Sequence, residues 1–490
     1  MKMLSKSRYI TGLQCPLKLW YDCYQRDLAP KVSESQQAIF DTGHEVGDLA
    51  QECYPGGVLV EADYRHTDEA IAITKALVAD LTVPSIYEAA FIFNNVLVRV
   101  DILERVGPDG WRLVEVKSTT RVKEIHEPDV AVQYQVLKGA GIKVVDAGVL
   151  TLNTNYIFDG ENLDLGQLFE FHEIKEAAEA LQLSVSNNLE SFKAVLAADS
   201  APNISPGPHC HSPYECPYFS HCTKDLLPVD DPITDLPSLA QGKRSELNRM
   251  GIESIKDVPP DFPLTALQSV VRTSVLTGQD YVSTDLAGAL VDVEYPIYYL
   301  DFETCGSAIP KFAGTHAYDA VVFQFSLHIE NREGEMVHHE YLHPDSSDPR
   351  RCLAEALLSL IGSEGSICVY SGYESGVIRA LSKWLPDLSP DLDAMLARLW
   401  DLLPIIRRNY YHPDFHGSFS IKKVLPALIS DLSYSALDIQ DGQSASRSWL
   451  ESVTVLDGDA RDAIHVALLE YCKLDTLAMV RLRHALYKRS

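Results

Sequence analysis

Nowhere in the 490 residues do about 18 apolar residues run together, so no segment reads as a membrane-spanning helix. Positive charge is also scarce. Lys and Arg number 42 against 69 Asp and Glu, a formal net charge of −27, which argues against a protein that coats nucleic acid by bulk charge. Ten cysteines at this length are too few for a disulfide framework and point instead to metal or redox chemistry in a reducing compartment. No repeat with a period of 20–50 residues occurs, so the chain is not a solenoid or a propeller. Lys2, Lys6, Arg8 and Lys18 precede the first acid, Asp22, but polar residues interrupt this stretch every few positions. No apolar signal segment follows, and the expected location is cytoplasmic.

The composition that remains is globular: 46% apolar and 23% charged. At roughly 100–200 residues per domain, the length reads as two or three domains, each able to bury a core. Residues 1–225 read as one α/β unit. Helical periodicity at 38–50 and 68–81 precedes β-rich segments at 86–93, 96–105 and 111–117, with turns at Asn94-Asn95 and 107–110. A helix at 130–139, an apolar strand at 144–152 and a long helix at 170–196 complete it. Residues 226–290 switch to short helices broken by prolines. Within them, 243–258 is patterned as helix, Gly251 turn, helix, the size of a helix–hairpin–helix linker. Residues 291–490 make a second α/β unit. It has strands at 296–302, 320–330 and 367–371, an amphipathic segment at 334–342, and helices that end in 460–487.

The first chemistry-bearing pattern is Val98-Arg99-Val100-Asp101, a turn, then Val114-Glu115-Val116-Lys117. The two-residue period of a strand puts Glu115 and Lys117 on one face. With Asp101 on the neighbouring strand, two carboxylates can hold a hard divalent cation such as Mg²⁺, while Lys117 orients water and offsets phosphate charge. Alone, Glu-x-Lys is most often the solvated face of a hairpin. Its company changes that reading. The stretch resembles the PD-(D/E)XK nucleases, in particular the RecB-like branch that includes the CRISPR-adaptation exonucleases. "SKSRYITGLQCPLKLWY" at 5–21 looks like that branch's opening segment, "FDTGHEVGDLA" at 40–50 like its helix with a catalytic-site His, here His44, and "VQYQVL" at 132–137 like its Gln-x-x-x-Tyr motif. Gln133 matches; the family's Tyr falls on Leu137, with Tyr134 off register. The resemblance implies Asp101 and Glu115 as metal ligands for Mg²⁺ or Mn²⁺, and Lys117, Gln133 and His44 as catalytic residues. Glu88 is a further candidate acid.

The same branch staples its ends with a 4Fe–4S cluster on one early and three late cysteines. Cys15 with Cys210, Cys216 and Cys222 in "HCHSPYECPYFSHC" would supply it. The interval from Cys216 to Cys222 fits the family, whereas Cys210 to Cys216 is longer than usual, so Zn²⁺ with His209, His211 or His221 replacing a thiolate stays open. Cys23, Cys53, Cys305, Cys352, Cys368 and Cys472 sit in apolar patterns and read as small core residues.

The second pattern is Tyr298-Tyr299-Leu300-Asp301-Phe302-Glu303-Thr304, an apolar strand ending in Asp-x-Glu. It resembles motif I of the DEDD exonucleases, DnaQ-like enzymes on an RNase H-like fold, whose acids bind two divalent ions about 4 Å apart. Val369–Glu374 resembles motif II, with Glu374 in place of the usual Asp and no preceding Asn. Tyr471-x-x-x-Asp475 matches motif III, and the i, i+4 spacing puts both side chains on one helix face. The resemblance implies metal ligation by Asp301, Glu303, Glu374 and Asp475, with Tyr471 positioning water. Asp401 is a rival for the motif II acid but reads rather as a helix cap.

Basic strips at 2–18, 117–123, 407–408, 422–423 and 481–489 flank these motifs, with Tyr410, Tyr411 and Phe419 as candidate stacking groups for single strands. The expectation is an α/β chain of three parts. Residues 1–225 form a PD-(D/E)XK restriction-endonuclease-like domain, 226–290 a helical linker, and 291–490 an RNase H-like, DnaQ-like domain. Together they form a metal-dependent nuclease acting on DNA in repair, recombination or defence. RNA processing, or a scaffold that only binds nucleic acid, are the alternatives.

Overall fold

The structure is a computed structural model that describes residues 2–62, 65–226, 228–455 and 457–490. The chain divides into two compact units: Met1–Leu226 with Ser307–Tyr318, and Leu227–Gly306 with Asp319–Ser490. The stretch expected as a separate linker therefore belongs to the second unit, and a short excursion from the second half of the chain belongs to the first.

The sheet of the first unit comprises β1 (Leu4–Ser5), β2 (Val58–Leu59), β3 (Ser85–Phe93), β4 (Val96–Val106), β5 (Gly110–Val116), β6 (Val144–Leu152) and β7 (Phe169–Glu173). Its order is β2-β3-β4-β5-β6-β7, with β1 beside β4. Asn94 and Asn95 both take positive φ, 48° and 59°, the geometry of a two-residue hairpin turn that follows the strand twist. β5 and β6 are parallel and need a crossover, which the helix His126–Gly139 provides. Val98, Val100 and Leu113 pack with Val130 and Leu137 on one face of the sheet. On the other, Ile102, Val114 and Leu150 meet Val46 and Ala50 of the helix Glu34–Gln51, together with Ala308, Ile309 and Ala317 of the 307–318 excursion. The long helix expected at 170–196 is corrected at its start. Residues Phe169–Glu173 pair antiparallel with β6, and helices run only over Lys175–Ala180 and Gln182–Ala197.

Two features of β4 open the site. Its ladder with β3 runs from Ala89↔Val100 to Tyr87↔Ile102 and skips Glu88 and Asp101. On the opposite edge, β5 pairs only from Ile102 onward and β1 only at Val96 and Leu97. Asp101 thus sits where the ladder lapses, with its side chain free to turn out.

The second unit holds β8 (Tyr281–Val282), β9 (Ile297–Cys305), β10 (Val321–Glu330), β11 (Met336–Leu342), β12 (Ile367–Val369), β13 (Leu399–Asp401) and β14 (Tyr410–Tyr411). Five form a mixed sheet ordered β11-β10-β9-β12-β13, antiparallel across β11, β10 and β9 and parallel from β9 to β13. Helices Arg350–Leu360, Tyr373–Trp384 and Ser389–Leu396 bury Leu353, Ile378 and Leu392 against one face. The 30-residue helix Gly458–Tyr487 packs along β9 and β10. Of the helix pair expected at 243–258, only Gln241–Arg249 forms an α-helix; Ile255–Asp257 is a single 3₁₀ turn. This segment is held in the second unit by a close backbone approach. Gly417, at φ +72°, lies against the carbonyl of Asp235, where a Cβ would collide.

His328 of β10 and His338 of β11 are directly opposed in the ladder, with ring centroids 4.4 Å apart, and His328 shares a hydrogen bond with Thr476 of the long helix. Burial, reinforced by His338 and Lys473 around His328 and by Lys473 and His339 around His338, pushes both imidazoles down to about 4. The unfolded chain takes up protons near pH 6.5 and the folded one does not. The stability from keeping these rings neutral is therefore present above about 6.5 and lost as pH falls towards 4. In denaturant titrations of the second unit, the stability gap between wild type and His328→Gln should narrow by roughly 1–2 kcal/mol from about pH 7.5 to about pH 5. A gap that stays constant would refute the assignment.

Candidate metal centres

In the first unit, three chemistry-bearing elements meet at the gap beside β4. Glu115 is 1% exposed at the end of β5. Its Oε1 accepts from Lys117 Nζ at 2.6 Å, its Oε2 from Gln133 Nε2 at 2.7 Å, and both oxygens from Lys6 Nζ at 2.9 Å. Lys6 also reaches Asp101 Oδ1 at 3.4 Å, while Asp101 Oδ2 accepts from the backbone N–H of Val116. Lys6 arrives because β1 fills the free edge of β4 and the chain turns into the helix Lys6–Gln14 one residue later. Nothing in the sequence marks it among the other basic residues of the N-terminus.

Asp129 is the other group that sequence reasoning missed. One turn before Gln133 on the same helix, it accepts from Lys117 Nζ at 2.7 Å, and its Oδ1 is buried with no hydrogen-bond partner among the described residues. Burial opposes the charged form of Lys117, but Glu115 and Asp129 outweigh it and hold the ammonium above the ordinary lysine range. Lys117 is therefore held as an ammonium group. Burial and the neighbouring Glu115 raise Asp101 to about 7, whereas Lys117 and Lys6 overcome the burial of Glu115 and hold its carboxyl low. Gln133 donates to Glu115 and to the backbone carbonyl of Asp129, so it positions the ligand. Tyr134 bonds Glu179, and Leu137, where the family has its Tyr, is core. Glu88 pairs with Arg99 at 3.0 Å. His44 does not join the cluster: it is exposed on the helix Glu34–Gln51 and has no hydrogen bond or ion pair among the described residues.

The four cysteines do converge. Cys15, Cys210, Cys216 and Cys222 line one small cavity. The loop that carries three of them is tied to the N-terminal helices by Gln14 Nε2, which donates to the carbonyls of His209 and Tyr214, and by Tyr218, which donates to Asp22 at 2.6 Å. Among the described residues, the only trio of His, Cys or carboxylate ligand atoms all within 4.8 Å of one another is Asp301, Glu303 and Cys472. No three of the four sulfurs lie within 4.8 Å of one another. The reading of the other cysteines as core needs two changes. Cys352 is exposed, and the Cys472 thiol lies 3.5 Å from Asp301 Oδ2 within the second acidic cluster.

That second cluster is built on the central strand β9. Asp301 and Glu303 project from its face towards the long helix, which brings Tyr471, Cys472 and Asp475. Glu374, on the first turn of the helix Tyr373–Trp384, faces Asp301 and keeps its own Oε2 buried without a partner among the described residues. Burial and mutual repulsion lift the whole set: Asp301 well above the carboxylate range, Glu303 to about 8, Glu374 to about 7. Asp475, which burial also raises, is held to about 6 by a 2.6 Å hydrogen bond from Tyr434 and by Lys422. Lys422 donates to Tyr471 at 3.2 Å and lies over the rings of Tyr471 and Tyr434. Burial raises the Cys472 thiol, which stays a protonated donor to Asp301 and is a poor partner for a hard cation. Asp401 caps the helix Leu402–Asn409 through the N–H of Leu403, as its position suggested. Tyr410, Tyr411 and Phe419 are a correction: they are buried around Phe415, so they are core aromatics and offer no stacking platform.

Residues 298–420 match a family described as a domain of unknown function (DUF2779), 123 of the 490 positions. That stretch carries Asp301, Glu303 and Glu374 but stops short of Tyr471 and Asp475. Among curated proteins, no match to the chain was found.

The two clusters should respond oppositely when a charge is removed. In metal-free protein, Glu115→Gln leaves Lys6 and Lys117 facing each other and should cost the first unit about 3–5 kcal/mol. Asp301→Asn relieves carboxylate repulsion and should stabilise the second unit by about 1–3 kcal/mol. Denaturation monitored in EDTA checks both; destabilisation by Asp301→Asn would contradict the repulsive arrangement.

Proposed function

We propose that the chain is a metal-dependent nuclease that hydrolyses DNA phosphodiester bonds at two centres, a RecB-like PD-(D/E)XK centre in the first unit and a DnaQ-like centre on an RNase H-like fold in the second. The observation that carries the reading is that acids from distant segments converge around a cation position in each unit. In the first, the Lys6 ammonium stands between Asp101 and Glu115 as a stand-in ion. In the second, four carboxylates with Lys422 beside them, and a Glu374 Oε2 unpartnered among the described residues, are a donor set that fits divalent ions.

Asp101 and Glu115 would hold Mg²⁺ or Mn²⁺ in one centre, and Asp301, Glu303, Glu374 and Asp475 in the other. A bound divalent ion supplies charge neutralisation at the phosphate and a more acidic water. The protein's own groups do the rest. Lys117 remains protonated between Glu115 and Asp129 and offsets charge that develops on phosphate oxygens. Gln133 keeps Glu115 oriented. Tyr434 fixes the rotamer of Asp475, and Lys422 aligns the Tyr471 hydroxyl beside the acids. The cavity lined by Cys15, Cys210, Cys216 and Cys222 would hold a 4Fe–4S cluster that ties the two ends of the first unit together, with Zn²⁺ as the alternative.

Two measurements test this. With Mg²⁺ or Mn²⁺ and single- or double-stranded DNA or RNA, Asp101→Ala and Asp301→Ala should each lower cleavage at their own centre roughly 100-fold or more. A preference for RNA would redirect the substrate, and no cleavage of any polymer would leave a binding scaffold. Anaerobically purified protein should be brown and absorb at about 400 nm, and Cys222→Ser should bleach it. A colourless protein with stoichiometric zinc would overturn the cluster.

A further inference from the structure

The second unit has a basic cavity that the acidic centre does not use. It has a volume of about 420 Å³, within the range of small-molecule sites, and is lined by Tyr295, Glu330, Arg483, His484, Tyr487 and Lys488. Arg483 follows Asp475 by eight residues on the same helix, about 12 Å along its axis, so the cavity is separate from the carboxylate cluster. Its charge balance inverts that of the chain: Arg483, Lys488 and the ionisable His484 against the single carboxylate of Glu330.

That carboxylate is already engaged. Glu330 accepts from the Tyr299 hydroxyl at 2.7 Å and is paired with His484 Nε2 at 2.8 Å. Arg483, only 7% exposed, is left with long contacts. They run to Glu330 Oε2 at 3.5 Å, the Tyr299 hydroxyl at 3.5 Å and the Tyr295 hydroxyl at 3.4 Å, and its Nε has no partner among the described residues. A buried guanidinium whose fork is filled by no short hydrogen bond is suited to a tetrahedral oxyanion. The walls beside it are aromatic. Tyr487 is 55% exposed, and the Tyr295 ring has the guanidinium groups of Arg483 and Arg332 about 6 Å from its centroid, at 5.8 and 6.0 Å. The exposed Tyr487 ring offers a face for a planar base, whereas the Tyr295 ring is already covered by the two guanidiniums.

We infer that this cavity binds a nucleoside monophosphate, with its phosphate on Arg483 and Lys488 and its base against Tyr487. The ligand is the kind of product a nuclease releases, but the inference stands on the cavity alone and goes beyond the proposed chemistry.

The test is calorimetric titration of the full chain in EDTA with dAMP, inorganic phosphate and deoxyadenosine. dAMP should bind, phosphate at least tenfold more weakly, and deoxyadenosine not detectably. Lys488→Glu, at an exposed position that the fold does not depend on, and Arg483→Lys, which keeps the charge but loses the fork, should each weaken dAMP at least tenfold. Asp301→Ala should leave the affinity unchanged. No dAMP binding, or binding indifferent to Lys488→Glu, would show an ordinary interior ion pair and overturn the inference. Phosphate that binds as tightly as dAMP would overturn the nucleotide assignment, and loss of binding in Asp301→Ala would move the ligand to the acidic centre. Because binding is read without metal or cleavage, failure here and failure of the nuclease reading are distinguishable.

Discussion

Like charges held together out of water dominate this molecule. Asp301, Glu303, Glu374 and Asp475 come from a central strand and two helices; burial raises each above the usual carboxylate range, reinforced by mutual repulsion at the first three. A fold does not gather such groups for stability, since each costs more buried than exposed. The surrounding elements over-determine their placement instead. β9 is bonded on both edges, to β10 and β12, and the 30-residue helix packs along it. Tyr434 then holds Asp475 and Lys422 holds the Tyr471 hydroxyl, while Glu374 Oε2 stays without a partner among the described residues. Electrostatic strain of this kind clusters at functional sites.

The first unit handles a similar problem differently. Asp101, Glu115 and Asp129 are met by two ammonium groups, Lys6 and Lys117, and by Gln133, so the cluster is nearly balanced without any added ion. In the second unit the acids are faced by Lys422, which lowers Glu303 and Asp475 without offsetting their burial.

Tertiary architecture also recruits residues across long sequence distances. The 307–318 excursion leaves β9 just after Glu303 and closes one face of the first unit's core, where Ala308, Ile309 and Ala317 pack with Val46 and Leu150. Gln14 and Asp22 reach some 195 residues along the chain to hold the cysteine loop. On the second unit's sheet, the same long helix supplies Asp475 to the acids and Arg483 to a basic cavity, so one element carries both signs of charge to opposite purposes.

Local pattern alone determined a good deal. Alternating apolar residues with an Asn-Asn turn specify β3 and β4; the crossover helix and β6 follow from composition; Glu-x-Lys, Asp-x-Glu and Tyr-x-x-x-Asp mark chemistry because strand and helix periods put those side chains on one face. Two kinds of feature were not legible. Lys6, Asp129, Lys422 and Tyr434 look like any other charged or aromatic residue, and only strand pairing and helix packing bring them to the acids. His44, Tyr410 and Tyr411 illustrate the converse, because motif or composition nominates a residue without knowing which way it will face. Register and burial, which depend on contacts a hundred or more residues away, decided those cases, since a side chain's partners are set by the whole fold and its periodicity only by its neighbours.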